Sequence, residues 1–386
     1  MSHVPPDFEP VDRELGIAGQ PASHWASEGT PVFVYDRAII AARIAAVREA
    51  FPGVELHYAI KANPLPALVE WMGGQVDGLD VASAGELALA ARTGLPIGFA
   101  GPGKRDAELA EAIAAGATVS IESGGELERF AGLGGRTALL RVNPDFELKG
   151  SGMKMGGRGT PFGIDADQVP GVAARAAALG VRIKGFHVYA GSQTLSAAAL
   201  IEAQAATVAL AVRLAGECGI ALETLNLGGG FGIPYFANDT ALDVAAVGAA
   251  LPALPGTRLI LELGRYLVGE SGVYLTRVVD VKTSRGTAFV VADGGMHHQL
   301  AASGNLGTVI RRNYPIANAS RFAEAATATY DVTGCLCTPL DRLGERVALP
   351  DTRVGDLIAV FMAGAYGASA SPTAFLGHPP AREVLA

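Results

Sequence analysis

From Val54 to Gly264, short apolar runs alternate with helical patterns, and this alternation constrains the fold more than any other feature of the chain. Eight runs read as strands: Val54–Lys61, Val76–Ser83, Ile97–Gly101, Ala117–Ser123, Thr137–Asn143, Arg182–Ala190, Thr224–Gly229 and Thr257–Gly264. Helical stretches separate most of them. Eight such units in about 210 residues match a (β/α)8 barrel in number and length. Upstream, Pro31–Asp36 reads as a further strand, and Ile39, Ile40, Ile44 and Val47 stripe a helix over Arg37–Phe51. Beyond Gly272 the pattern changes. Val273–Lys282, Thr287–Asp293, Thr329–Val332, Arg346–Ala348 and Asp356–Met362 read as strands with few helical periods between them, and residues 297–328 read as irregular. The expected fold class is therefore α/β, a (β/α)8 barrel over residues 37–272 joined to a mostly β domain made of residues 1–36 and 273–386.

Composition narrows the function. The net charge is −8 and no basic run occurs, which argues against a nucleic-acid partner. No apolar run of roughly 18 residues is expected, hence no membrane span. Met1–Leu15 carries Pro and acidic residues in place of an apolar secretory core, so a cytoplasmic location is expected. The cysteines are Cys218, Cys335 and Cys337, an odd number that does not make a disulfide framework.

Several stretches carry chemistry. His57-Tyr58-Ala59-Ile60-Lys61-Ala62-Asn63 delivers a lysine to the end of the first barrel strand, and Pro64 stands where a helix can start. Barrels keep their chemistry at that end, and a partly desolvated lysine there can attack a carbonyl; a solvated lysine at a strand tip is the plainer alternative. Gly228-Gly229-Gly230 follows the seventh strand, where barrels build phosphate sites. Glu262 and Arg265 end the eighth strand, as a functional pair or a local ion pair. His187, among apolar residues on the sixth strand, suits the core or a flat cofactor, with Ser192 just beyond. Ser83/Glu86 and Ser123/Glu126 sit at two look-alike strand-to-helix junctions as capping boxes. Asp80, upstream of the first, leaves a second role open for Glu86. The long loop Pro144–Gly163 is either a lid or a plain excursion. No metal site is expected, because the Cys335 and Cys337 pair is too tightly spaced and His297-His298 shows no partner ligand. Small-residue turns display Cys337 and Tyr366.

Together these features resemble the fold-type III decarboxylases that depend on pyridoxal 5′-phosphate (PLP), the family of diaminopimelate, ornithine and arginine decarboxylases. The matching stretches run from Tyr58-Ala59-Ile60-Lys61-Ala62-Asn63 to Gly364-Ala365-Tyr366-Gly367 and so span nearly the whole chain. The resemblance implies that Lys61 attaches PLP, that Asp80 and Glu86 lie near it, and that Arg141 meets the ring hydroxyl. His187 would stack on the ring and Glu262 would pair with its nitrogen. Ser192, Gly228, Gly229, Gly230, Gly264, Arg265 and Tyr366 would hold the phosphate. It further implies a homodimer with shared active sites, in which Cys337 and Tyr366 serve the partner subunit and Cys337 returns a proton to Cα. A racemase of this fold would carry Arg at the ring nitrogen, so Glu262 speaks for decarboxylation.

Two departures bear on the substrate. Thr338 follows Cys337 where amine-recognising members carry an acid, and the segment His187–Ser192 is longer than usual. Lys154-Met155-Gly156-Gly157, Gly294-Gly295-Met296-His297-His298, Leu336-Cys337-Thr338-Pro339 and Phe375-Leu376-Gly377-His378-Pro379 are similar to a branch of the family. That branch includes decarboxylation of a glutamyl group tethered to an acyl carrier protein in butirosin biosynthesis. Related decarboxylases accompany exosortase-linked gene clusters. The implied substrate is a carrier-bound or conjugated amino acid of secondary metabolism, with Thr338 and Arg311 as candidate contacts, and surface solvation as the alternative for Arg311. A free amino acid (diaminopimelate, ornithine or lysine) and a catalytically silent binding protein are the competing readings.

Overall fold

The computed structural model describes residues 4–147, 159–304 and 312–386, together with the backbone of 153–154. The chain forms two compact units. One comprises Met1–Ala42, Pro234–Asp239 and Leu267–Ala386, the other Arg43–Ile233 and Thr240–Tyr266.

The second unit is the barrel. Its strands are β1 (Glu55–Ala59), β2 (Gly78–Val81), β3 (Ile97–Phe99), β4 (Thr118–Ile121), β5 (Thr137–Asn143), β6 (Arg182–Val188), β7 (Thr224–Asn226) and β8 (Arg258–Leu263). All pair in parallel with their neighbours, and β8 closes on β1 through the register Leu263 to Tyr58. Ile164–Asp165 adds a short parallel strand beside β5. Strands covered on both faces read as nearly continuous apolar runs, which is why all eight are visible in the sequence. The polar residues that interrupt those runs, Asp80, Arg141, His187, Asn226 and Glu262, are buried as well.

The helix Ala197–Cys218 corrects one expectation. Its 22 residues are long and apolar enough to cross a membrane. One face, including Leu200, Val208, Leu210, Ala211 and Leu214, is buried, and Glu202, Arg213 and Glu217 are exposed on the other. The helix packs against Val169–Ala178 within the barrel, so tertiary burial accounts for its apolarity. It ends at Gly219, whose φ of 62° supplies the left-handed stop.

The other unit is mostly β. Its central strand, Gly272–Ser284, pairs antiparallel with Val32–Tyr35, Thr287–Ala292 and Leu357–Val360. Val32–Tyr35 thus joins the C-terminal sheet, as expected from sequence. Ala328–Thr333 and Arg342–Leu349 extend the sheet. Ile316–Asn318 and Arg382–Leu385 add short strands that the sequence pattern did not reveal; at three and four residues they are too short for a periodicity to register.

Candidate active site

Lys61 lies in a one-turn 3-10 helix, Ile60–Ala62, just beyond β1, not in the strand itself. Tyr58 Oη donates to Asn63 O at 2.8 Å, and Asn63 N donates to Ile60 O at 2.9 Å, which pins the turn from both sides. Asn63 Oδ1 accepts from Leu65 N at 3.1 Å, so the chain bends there. The following helix therefore starts at Pro66 and not at Pro64. The Lys61 side chain is 44% exposed, its Nζ lies 3.9 Å from Asp80 Oδ2, and Tyr189 presents its ring at 5.6 Å.

Beneath the lysine lies a buried cluster. His187 Nε2 is 3.3 Å from Glu262 Oε2, and its Nδ1 is 3.1 Å from Ser120 Oγ. With both ring nitrogens facing protein groups, His187 is not set up as a metal ligand. Glu262 also accepts from the Asn226 side-chain amide. Burial alone would raise the Glu262 carboxyl, but His187, Lys61 and the Asn226 amide outweigh it and hold it at about 2. Asp80 goes the other way. Burial, then the charge of Glu262, push it well above the usual carboxylate range, with Lys61 and Arg141 opposing. Its Oδ1 is buried and has no hydrogen-bond partner among the described residues. Two neighbouring carboxyl groups thus have their affinities for protons driven apart.

The glycine loop is built against this cluster. Gly228 N donates to Asn226 Oδ1 at 2.8 Å and Glu262 N donates to Gly228 O at 2.8 Å. Gly228 adopts φ 65°, and a Cβ on Gly229 would fall 2.2 Å from Glu262 O. The N–H groups of Gly229 and Gly230 donate to no described residue. Thr194 N donates to Gly230 O at 2.9 Å, which brings the Ser192 segment alongside the loop. Gly264 follows β8 closely enough that a Cβ there would lie 2.9 Å from Ala62 Cβ, in the Lys61 turn. Arg265 opens the short helix after it.

Both capping serines accept from the glutamate three residues on, Ser83 from Glu86 N and Ser123 from Glu126 N. Glu126 does more than cap. It accepts from Lys104 Nζ at 2.6 Å, and that lysine is buried, also donating to Gly101 O and Ser120 O. Glu122 completes the group, 2.8 Å from Arg141 Nη1 and 2.5 Å from Gly101 N. Burial favours the neutral form of Glu122, yet the charges of Arg141 and Lys104 hold its carboxyl below the usual value. Sequence reading missed Lys104 and Glu122, whose partners are spread from Gly101, just after β3, to Gly163, beyond β5.

In the mostly β unit, Cys337 is exposed on the turn after Ala328–Thr333, and Thr338 is half-buried. Thr338 Oγ1 accepts from Leu340 N at 3.3 Å. Asp341, the one acid of residues 334–341, is turned inward and accepts from Met296 N at 2.6 Å and Leu336 N at 2.8 Å. Tyr366 adopts a positive φ of 56° in its small-residue turn. Arg311, most of the Lys154–Gly157 motif and part of the Pro144–Gly163 loop lie outside the described residues.

A family model for the pyridoxal-binding domain of pyridoxal-dependent decarboxylases matches residues 37–269. The chain belongs to this family, and it is a PLP-dependent amino-acid decarboxylase, a carboxy-lyase. It is 37% identical over 383 residues to the L-glutamyl-[BtrI acyl-carrier protein] decarboxylase of Niallia circulans, covering 92% of this chain and 88% of that protein. It is 32% identical over 399 residues to the diaminopimelate decarboxylase of Aquifex aeolicus, covering 98% and 92%. The solved structure of the M. jannaschii diaminopimelate decarboxylase in complex with L-lysine superposes with a TM-score of 0.87 at 28% identity, over 98% of this chain and 92% of that one.

The residues present fit the cofactor. A half-exposed lysine can attach it, an ionised buried carboxylate can meet a protonated ring nitrogen, and two glycine N–H groups await an anion.

Proposed function

We propose that the enzyme removes CO2 from an α-amino acid that is carrier-bound or conjugated, glutamyl-like at its reacting end, and leaves the amine. When bound, the cofactor supplies an electron sink for the charge left at Cα. Lys61 attaches it, with Asp80 and Glu86 beside the lysine. Glu262 holds a proton on the ring nitrogen, and its low proton affinity keeps it anionic for that task. His187 covers the ring face, and Arg141 meets the ring hydroxyl. Ser192, the glycines at 228–230 and 264, Arg265 and Tyr366 take the phosphate. Cys337 delivers a proton to Cα. The enzyme works as a homodimer in which Cys337 and Tyr366 complete the partner subunit's site.

The observation that carries the substrate reading is the turn at 334–341. Its only acid, Asp341, is buried and bound to backbone N–H groups, and Thr338 stands after Cys337. Such a turn offers no anion to a distal ammonium, which argues against diamine-type acids. The similarity to a decarboxylase named for an acyl-carrier-protein substrate supports the same reading. Free diaminopimelate is the second reading, favoured by the relatives that carry that name; its far end bears a carboxylate as well as an amine.

CO2 release from a paired panel separates the two. Free glutamate, diaminopimelate, ornithine, lysine and arginine form one half, and the same acids on a carrier protein or a pantetheine thioester form the other. Turnover confined to the tethered half is expected; turnover on a free acid would overturn the conjugate reading. Cys337→Ala is expected to lower kcat by roughly 10² or more while leaving cofactor absorbance intact. Mixed Lys61→Ala and Cys337→Ala subunits are expected to regain partial activity, and no recovery in verified heterodimers would rule out shared sites.

A further inference from the structure

His297 is fully buried, yet neither ring nitrogen has a hydrogen-bond partner among the described residues. An imidazole deprived of both partners loses its hydration without compensation. The ring does have neighbours. Cys335 Sγ and a ring nitrogen of His378 lie with a His297 nitrogen in a group whose ligand atoms are all within 4.8 Å of one another. Cys335 Sγ is 3.9 Å from His378 Nε2, and the His297 and His378 rings are 5.1 Å apart between centroids. Cys335 and His378 are half-buried, so the group has a closed floor and a partly open mouth.

We propose that His297, Cys335 and His378 form a zinc site with three protein ligands and a fourth, exchangeable position. Two imidazoles and a thiolate are a zinc-type donor set. Bond lengths of about 2.0–2.1 Å to nitrogen and 2.3 Å to sulfur put tetrahedral ligand atoms roughly 3.3–3.6 Å apart. From a spread of 4.8 Å the three side chains therefore need to close by at most about 1.5 Å, and Cys335 and His378, already 3.9 Å apart, by only a few tenths of an ångström. On binding, the Cys335 thiol releases its proton to solvent and the metal occupies the vacant His297 nitrogen. His298 does not compete, because its Nδ1 meets Tyr274 Oη and its Nε2 meets Pro379 O. Asp341 is likewise committed to backbone N–H groups. The metal ties three chain segments together, and one of them is the turn that displays Cys337 two residues after Cys335.

The test uses the untagged, PLP-loaded full chain, stripped of metal with a chelator and then titrated with Zn2+ against a chromophoric competitor. One zinc per chain is expected. Cys335→Ser and His378→Ala, both at partly exposed positions, are expected to weaken it by at least about 100-fold, beyond what loss of an outer partner typically does. Cys337→Ser is expected to bind zinc like the parent. Zinc-edge X-ray absorption should show one sulfur and two imidazole nitrogens. Absence of stoichiometric binding, equal affinity in the Cys335→Ser and His378→Ala variants, or a first shell without sulfur would overturn the site.

Discussion

The junctions that follow β2 and β4 look alike in sequence and differ in what they do. At each, a serine caps the helix N-terminus and a glutamate three residues on reaches back to a backbone N–H, Glu86 to Ala82 and Glu126 to Glu122. Burial raises the proton affinity of both glutamates. The nearest cation separates them. Glu126 meets Lys104, whose side chain is 1% exposed and satisfied on every side. Glu86 lies under the influence of Lys61, which is 44% exposed and beside Asp80, whose Oδ1 has no hydrogen-bond partner among the described residues. The contrast recurs three residues upstream of the caps, at the ends of the strands, where Ser120 accepts from Lys104 through its carbonyl and Asp80 stands at the corresponding position. A closed polar network braces the barrel; an incomplete one beside an accessible amine is the arrangement expected of a functional site.

Exchange of function between the two lysines would break this comparison. Lys61→Ala should reduce decarboxylation on the order of 10⁴ or more and remove the visible absorbance of the attached cofactor. An unchanged spectrum would refute the assignment. Lys104→Met should leave the absorbance but cost about 3–5 kcal/mol of stability, because Glu122 and Glu126 are left buried with less compensation. Urea unfolding measures it, and a loss below about 1 kcal/mol would make Lys104 a bystander.

Asp80 and Ser120 differ in pH response. In the cofactor-free protein, folded Asp80 retains a proton that the unfolded chain releases near pH 4. Stability contributed by that proton is present at low pH and declines as pH rises from about 4 through the folded value. Asp80→Ser should remove this decline, and parallel urea midpoints for parent and variant across pH would contradict it. The smallest effects belong to the caps. Ser83→Ala and Ser123→Ala should each cost about 1 kcal/mol; a cost at only one would show that the junctions differ even in their capping.

The sequence made the barrel legible because β1 to β8 are short apolar runs, each with a local period. Lys61, the glycine loop and Glu262 stood out as candidates because they stand at strand ends, where barrels expose groups to ligands. Lys104 could not. It sits in a Gly-Pro-Gly-Lys stretch that reads as surface loop, and its carboxylate partner is 22 residues on. Asn226, which orients Glu262 and holds Gly228, is hidden for the same reason: its partner lies on the next strand, 36 residues away. The His297 group escaped because Cys335 and His378 are 43 residues apart and no short motif joins them. Contacts across strands and between turns leave no local pattern to read.

The inward Asp341 sets the terms on which this enzyme can be re-engineered. A Cβ on Gly295 or Gly334 would collide with its carboxylate, at 2.0 and 2.4 Å, so those glycines lock the acid into the wall of the turn. Drawing it outward would empty a pocket shaped for it and strand two N–H groups. Position 338 carries no such obligation. A laboratory lineage pressed to accept amine-tipped substrates would therefore gain its new acid at Thr338, the position next to Cys337, and leave Asp341 where it is.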